Sequence, residues 1–272
     1  MKTIVELLEN SALKYGNNPY LLEKKTDRFE SISFKETKDL TYTTAAGMIA
    51  LGLEKGDRVA LLSESRTDWV LSELGILHAG AICVPLSILL KEGADLKFRI
   101  DHSGSRWIIV SALQYEKIKA IRKDLAGLEK VIVLDPRESY DEDEVFMGRV
   151  RNSGEEYIKV NNEKFTERIK SVGPDDYANI SYTSGTTADP KAIILSHRNY
   201  TANIEQTLTL MDVPSWWTTL LILPWDHSFA HTVGIYIMMA TGASLAAVQS
   251  GKSYLDSIKH IPENIREVRP VF

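Results

Sequence analysis

The sequence predicts an α/β fold: parallel β-sheets covered by helices on both faces. Three observations carry this. The runs "RVALL", "AICVPL", "RWIIV" and "KVIVL" are continuously apolar rather than alternating, as strands buried on both faces must be. Helical segments of about ten to fifteen residues separate them, which is the spacing of βαβ crossovers. The chain has 272 residues, 44% hydrophobic and 25% charged, enough to bury a core without disulfides or metals.

The elements follow in order. Thr3 and Glu6 form a capping-box pattern. Ile4, Leu7, Leu8 and Leu13 then share a helical face that Gly16 stops. "YLLEK" and "FESISF" read as a hairpin-like pair of strands. Ser33 with Glu36 starts a second helix, running to about Leu53. "GDRVALLSES" is a strand and a turn, "TDWVLSELGILHAG" an amphipathic helix, and "AICVPL" a strand ended by proline. A helix near Glu92–His102 leads to "RWIIV", and one near Ala112–Leu125 leads to "KVIVL". Residues 135–157 are acidic and poorly periodic, which reads as a solvated loop. A short helix near Asn162–Ser171, the strand "YANISYTS" and a second strand "AIILS" come next. Ser196 or Asn199 caps a helix whose Ile204, Leu208 and Met211 share a face. "TTLLILP" is a strand, "FAHTVGIYIMMATG" a helix ended by glycine, "SLAAVQ" a strand, and "SYLDSIKHIPENIREVRPVF" a helix and a turn. The expected organisation is an α/β subdomain over 1–172 and a second, incomplete α/β portion over 173–272.

Composition narrows the partners. The net charge of −5 argues against nucleic acid, because phosphate-backbone binding wants a basic patch. A lone cysteine, Cys83, excludes a disulfide framework. Glu6 and Glu9 interrupt any signal-peptide core, and no uncharged run is long enough to span a bilayer. The expectation is a soluble, cytoplasmic protein without a transmembrane segment.

The stretch "SYTSGTTADPKAII" carries the chemistry. It lacks the Walker spelling, and an apolar β-branched strand follows it rather than a helix, so no helix N-terminus faces a phosphate there. Other groups are present. Thr183, Ser184, Thr186 and Thr187 supply hydroxyl donors, Gly185 lets the backbone approach a ligand, and Lys191 supplies a mobile positive charge. Successive amides in such a turn form an anion-binding nest. The same residue types also make ordinary surface turns.

"YTSGTTADPKAIILSH" resembles the phosphate-binding signature of the adenylate-forming superfamily, which includes acyl-CoA synthetases, luciferases and peptide-synthetase adenylation domains. Eight of the signature's ten specified positions match. Ala188 and Ala192 stand where the family has glycine, and a β-carbon penalises positive φ. The resemblance implies that Thr183, Ser184, Gly185, Thr186, Thr187 and Lys191 hold the phosphates of ATP, with Thr186 toward its Mg²⁺. It gives Lys191 a catalytic part.

"LILPWDHSFAHTVGIY" resembles the segment that follows the phosphate loop in acyl-CoA synthetases. The resemblance places His227 near the substrate carboxylate, in a catalytic role, and Trp225, Phe229 and Gly234 beside the acyl pocket. His227 and His231 also have zinc-ligand spacing, but Ser228 takes the place of the glutamate in His-Glu-x-x-His and no further ligand is evident. "ENIREVRPVF" resembles long-chain acyl-CoA synthetases, which favours a fatty acid. The implied reaction uses ATP, Mg²⁺ and coenzyme A with a carboxylic acid, and a homodimer is allowed.

Motifs that the superfamily carries for adenine, ribose and the C-terminal domain find no match. The expectation is therefore an N-terminal portion of a ligase, inactive alone. The alternatives are a non-catalytic phosphate-binding module, or an adenylation domain acting on an aryl or amino acid.

Overall fold

Parallel pairing dominates the strands, as the buried β-branched runs require. The computed structural model describes residues 2–183 and 190–271. In chain order the elements are α1 (Ile4–Tyr15), β1 (Pro19–Lys25), β2 (Arg28–Ser33), α2 (Phe34–Ala50), β3 (Arg58–Leu62), α3 (Thr67–His78) and β4 (Ile82–Pro85). Next come α4 (Ala94–Ser103), β5 (Ser105–Val110), α5 (Ala112–Ile121), β6 (Lys130–Val133), β7 (Glu144–Phe146) and α6 (Met147–Lys170). After these lie β8 (Tyr177–Tyr182), β9 (Ala192–Ser196), α7 (His197–Leu210), β10 (Thr218–Leu221) and a π-helical segment Ala230–Ile237. The last elements are α8 (Met238–Thr241), β11 (Ser244–Ala247) and α9 (Tyr254–Val268). They group into two compact units, each drawn from separate stretches of chain: Met1–Leu40, Glu64–Leu71 and His197–Phe272 in one, Thr41–Ser63 and Ser72–Ser196 in the other.

The first unit holds a sheet ordered β10-β11-β1-β2. β1 pairs parallel with β11, Leu21 opposite Leu245, and antiparallel with β2. Both helix caps form, and the one at Ser33 is a full capping box. The Glu6 amide donates to Thr3 Oγ1 (3.0 Å), while the Glu6 carboxylate takes the Lys2 amide (2.7 Å). At Ser33 the exchange is reciprocal: the Ser33 amide donates to Glu36 (2.8 Å) and the Glu36 amide to Ser33 Oγ (3.2 Å). The hydrogen bonds from Ser33 hold the Glu36 carboxyl below its usual pKa. Gly242 ends α8 at φ +79°, where its missing β-carbon leaves room for the Tyr15 ring. Helix α9 is docked by its polar side. Lys24 reaches Glu263 (3.1 Å) and Glu267 (2.7 Å), and the buried Asn264 accepts the Gln249 amide (2.8 Å). Its Leu255, Ile258 and Ile265 are left exposed.

The second unit holds the larger sheet, ordered β7-β6-β5-β3-β4-β8-β9. Every neighbour pair is parallel except β8–β9, which is antiparallel. Alternation explains why the strands read as continuously apolar. Ala60, Leu62, Ile108, Val110, Val131 and Val133 share one core with Leu96 and Ile100 of α4 and Tyr115, Ile118 and Ile121 of α5. The residues between them in sequence, Val59, Leu61, Trp107, Ile109 and Ile132, are also buried, so both faces are covered. The strand β6 is tied to β5 by charge as well, because Arg106 spans Asp57 (2.8 Å) and Glu129 (2.7 Å).

One expectation is corrected. Residues 135–157 are not one solvated loop. Strand β7 adds to the sheet, and α6 begins at Met147 and runs to Lys170, bent at Asn161 where φ/ψ leave the helical region. The helix expected near Asn162–Ser171 is its second half. The acidic stretch is fastened by Tyr115, whose hydroxyl meets Glu144 (2.5 Å), and by Arg137, whose guanidinium lies 3.6 Å from the Tyr115 ring centroid and 3.2 Å from Glu144. Gly154 of α6 is a crossing point. A β-carbon there would overlap the Thr43 carbonyl oxygen of α2 and sit 2.7 Å from the Gly47 amide nitrogen. The helix expected in "FAHTVGIYIMMATG" forms and ends at Gly242, with a π-helical middle.

Candidate functional site

Strands β8 and β9 form the antiparallel pair that the strand–loop–strand pattern requires, with Tyr182 opposite Ala192. The ladder extends one step past them. The Thr183 amide donates to the Lys191 carbonyl (3.0 Å), and the Lys191 amide donates to Thr183 Oγ1 (3.3 Å). Thr183 and Lys191 are therefore brought together at the mouth of the hairpin, both exposed. Lys191 makes no ion pair among the described residues. Ser184, Gly185, Thr186, Thr187 and Ala188 lie outside the described residues.

The base of this hairpin has a support that the sequence did not single out. The Tyr182 hydroxyl donates to the Arg99 carbonyl of α4 (3.2 Å) and lies 2.9 Å from His102 Nδ1. The His102 ring stacks on Phe98, centroids 5.1 Å apart, and the Arg99 guanidinium sits 5.7 Å from the Tyr182 centroid. Burial pushes the Tyr182 phenol above its usual pKa, with a smaller opposing pull from Ser103 and the Arg99 charge. It stays a neutral donor. His102 reads in sequence as an ordinary surface or packing histidine, since a lone imidazole has no motif to mark it.

Ala192 lies inside β9, and positive φ is not among its features: the non-glycine residues described with positive φ are Thr26 and Arg269. Its side chain packs on the second unit's core beside Tyr182. The concern that a glycine is needed at 192 for a left-handed backbone therefore falls away. Ala192→Gly is expected to leave ATP affinity unchanged and to cost about 0.5–1 kcal/mol of stability, through lost packing and added chain entropy. Titration with ATP and a denaturant melt check both; a marked gain in affinity would contradict it.

The second group of candidates lies in the first unit, between β10 and the π-helical segment. The His227 amide donates to the Pro224 carbonyl (3.1 Å), closing a turn, and His227 Nδ1 accepts the Phe229 amide (3.3 Å). Both side chains are exposed, Phe229 by 54%. Trp225 is buried, edge-on to Trp69 at 6.1 Å, and its indole N–H has no acceptor among the described residues. Gly234 packs directly on β10, where a β-carbon would overlap the Leu221 side chain. His231, four residues after His227, is buried among Trp69, Tyr200 and Tyr236. Tyr20 reaches the same π-helical segment, donating to the Ile235 carbonyl (3.0 Å).

Residues 8–272 match the family described as AMP-binding enzyme. The chain belongs to the AMP-binding enzyme family. It is 30% identical over 217 residues to a substituted-propanoyl:CoA ligase of Mycobacterium tuberculosis, covering 77% of this chain and 40% of that protein. It is 25% identical over 279 residues to long-chain-fatty-acid–CoA ligase ACSBG2 of Xenopus laevis, covering 98% of this chain and 36% of that one. Among solved structures, a long-chain-fatty-acid-CoA ligase (FadD1) from Archaeoglobus fulgidus superposes with a TM-score of 0.79 at 22% identity, over 99% of this chain and 50% of its own. That likeness shows the fold. The chain thus spans 36% to 40% of the length of these two curated relatives.

The β8–β9 register sets Thr183 and Lys191 opposite one another. Among the described residues no helix is long and apolar enough to cross a membrane.

Proposed function

We propose that this AMP-binding enzyme chain takes part in ATP-dependent activation of a carboxylic acid, a fatty acid in the first instance, and its transfer to coenzyme A. A carboxylate oxygen attacks the α-phosphorus of ATP, the bond to the bridging oxygen breaks, and pyrophosphate leaves with the electron pair. The coenzyme A thiol, after losing its proton, then attacks the acyl carbon of the acyl-adenylate and AMP leaves, giving the thioester. The first step needs positioning and charge stabilisation more than covalent help. Lys191 meets the β- and γ-phosphates as a point charge and favours the departing pyrophosphate. Thr183, with Ser184, Gly185, Thr186 and Thr187, completes the phosphate hold. Mg²⁺ enters with ATP, and Thr186, its candidate contact, lies outside the described residues. His227 orients the carboxylate, Trp225 and Phe229 supply apolar wall, and Gly234 permits the close packing behind it.

The observation that carries this reading is the hairpin mouth: an exposed Lys191, without an ion pair among the described residues, held opposite Thr183 by two backbone-donated hydrogen bonds. The fatty acid is supported by the Xenopus laevis relative's name. The test is titration of the chain with Mg–ATP, followed by pyrophosphate release with aliphatic, aryl and amino acids. The release assay uses the chain fused to the C-terminal portion of a matched relative. Binding together with release on aliphatic acids is the expected result. Absence of ATP binding by the chain sinks the proposal, and release with aryl or amino acids alone replaces the substrate.

A further inference from the structure

We infer that His102 is a positioning residue for the phosphate hold, acting through the Tyr182 hydroxyl on the hairpin mouth that carries Lys191. The inference rests on the phosphate-holding role given to this hairpin above.

A phenol has one proton. Tyr182 donates it to the Arg99 carbonyl at 3.2 Å. With the phenol proton directed at Arg99, we assign the proton of the 2.9 Å contact to His102 Nδ1, making the imidazole the donor to the same oxygen. The hydroxyl is thereby held at two points on α4. His102 is itself fixed by its stack on Phe98, and Arg99 by Asp95, whose backbone carbonyl accepts from the guanidinium at 2.9 Å.

Tyr182 is the last residue of β8. Its backbone pairs with Ala192, and the next residue, Thr183, pairs with Lys191. A tilt of the tyrosine ring shifts the end of the strand and with it the point from which the Lys191 side chain starts. Packing alone does not require the hydroxyl, since a phenylalanine would cover the same core. The two-point tether is what a ring needs when its direction, and not only its volume, matters.

The experiment measures Mg–ATP affinity of the chain by titration calorimetry for wild type, His102→Ala, His102→Asn, Tyr182→Phe and the double variant His102→Ala/Tyr182→Phe. His102→Ala and Tyr182→Phe are each expected to weaken binding about five-fold, the scale of one net hydrogen bond. Asparagine places an N–H donor at the δ position, so His102→Asn is expected to restore wild-type affinity. The double variant is expected to match Tyr182→Phe alone, because His102 works through that hydroxyl. Nitrogen-15 NMR of the ligand-free chain is expected to show His102 protonated at Nδ1.

A bare Nδ1 overturns the inference whatever ATP does. Wild-type binding with His102→Ala unaffected, with no rescue by asparagine, or with additive effects also overturns it while leaving the phosphate-holding reading intact. Absence of ATP binding in the wild type overturns both, and the NMR result then shows separately whether the local geometry is right.

Discussion

Replacing Gly154 by alanine is expected to lower the unfolding free energy by about 3 kcal/mol, near the upper end for overpacking. In α6 the obstruction is main chain: the Thr43 carbonyl and the Gly47 amide nitrogen of α2 occupy the place of the added β-carbon. The contact is reciprocal, since a β-carbon on Gly47 would overlap the Val150 carbonyl. No rotamer change relieves a clash with backbone, so one helix must move. Alanine's higher helix propensity opposes this by about 1 kcal/mol and does not reverse it. Gly127, with open space around its missing β-carbon, is the control and is expected to change by less than about 0.5 kcal/mol. Denaturant unfolding of the two variants decides; equal stabilities would contradict the crossing-point account.

Lys191→Ala is expected to weaken Mg–ATP binding roughly ten- to hundred-fold, the equivalent of a lost charge-assisted hydrogen bond. The side chain is exposed, so its removal should move stability by less than about 0.5 kcal/mol. The main-chain bonds to Thr183 survive the substitution. Lys191→Arg keeps the charge on a different geometry and should stay within a few-fold of wild type. Titration calorimetry reads all three proteins. Unchanged affinity in the alanine variant would remove Lys191 from the phosphate hold.

The strands of the larger sheet were legible because burial on both faces leaves no polar positions, so "RVALL" and "KVIVL" can be little else. The helix caps at Thr3 and Ser33 were legible because they are local chemistry. Helix α6 was not. Its buried side is sparse, Met147, Val150, Gly154 and Phe165, and one of those four is a glycine whose role depends on a distant helix. The π-helical segment was hidden for a different reason, since apolar composition does not distinguish hydrogen-bond spacings. At the site, Thr183 and Lys191 stood out as parts of a motif, and the structure places them opposite each other. Tyr182 was read only as a motif letter and His102 as a bystander. Their pairing joins positions eighty residues apart, which no local pattern reveals.

The pairing of β1 with β11 sets a waiting time during synthesis. Leu21 is made early, but its partner Leu245 lies more than two hundred residues later, and β10 and β11 must both be present before the smaller sheet can close. At about 5–20 residues per second the ribosome needs on the order of 10 to 45 s to cover that distance. Through that interval the β1–β2 hairpin has an unpaired edge and the apolar face of α1 lacks its covering helices. The larger sheet, completed at β9, can form first. The smaller sheet is therefore the high-contact-order step, where slow folding and capture by chaperones or by other nascent chains should concentrate.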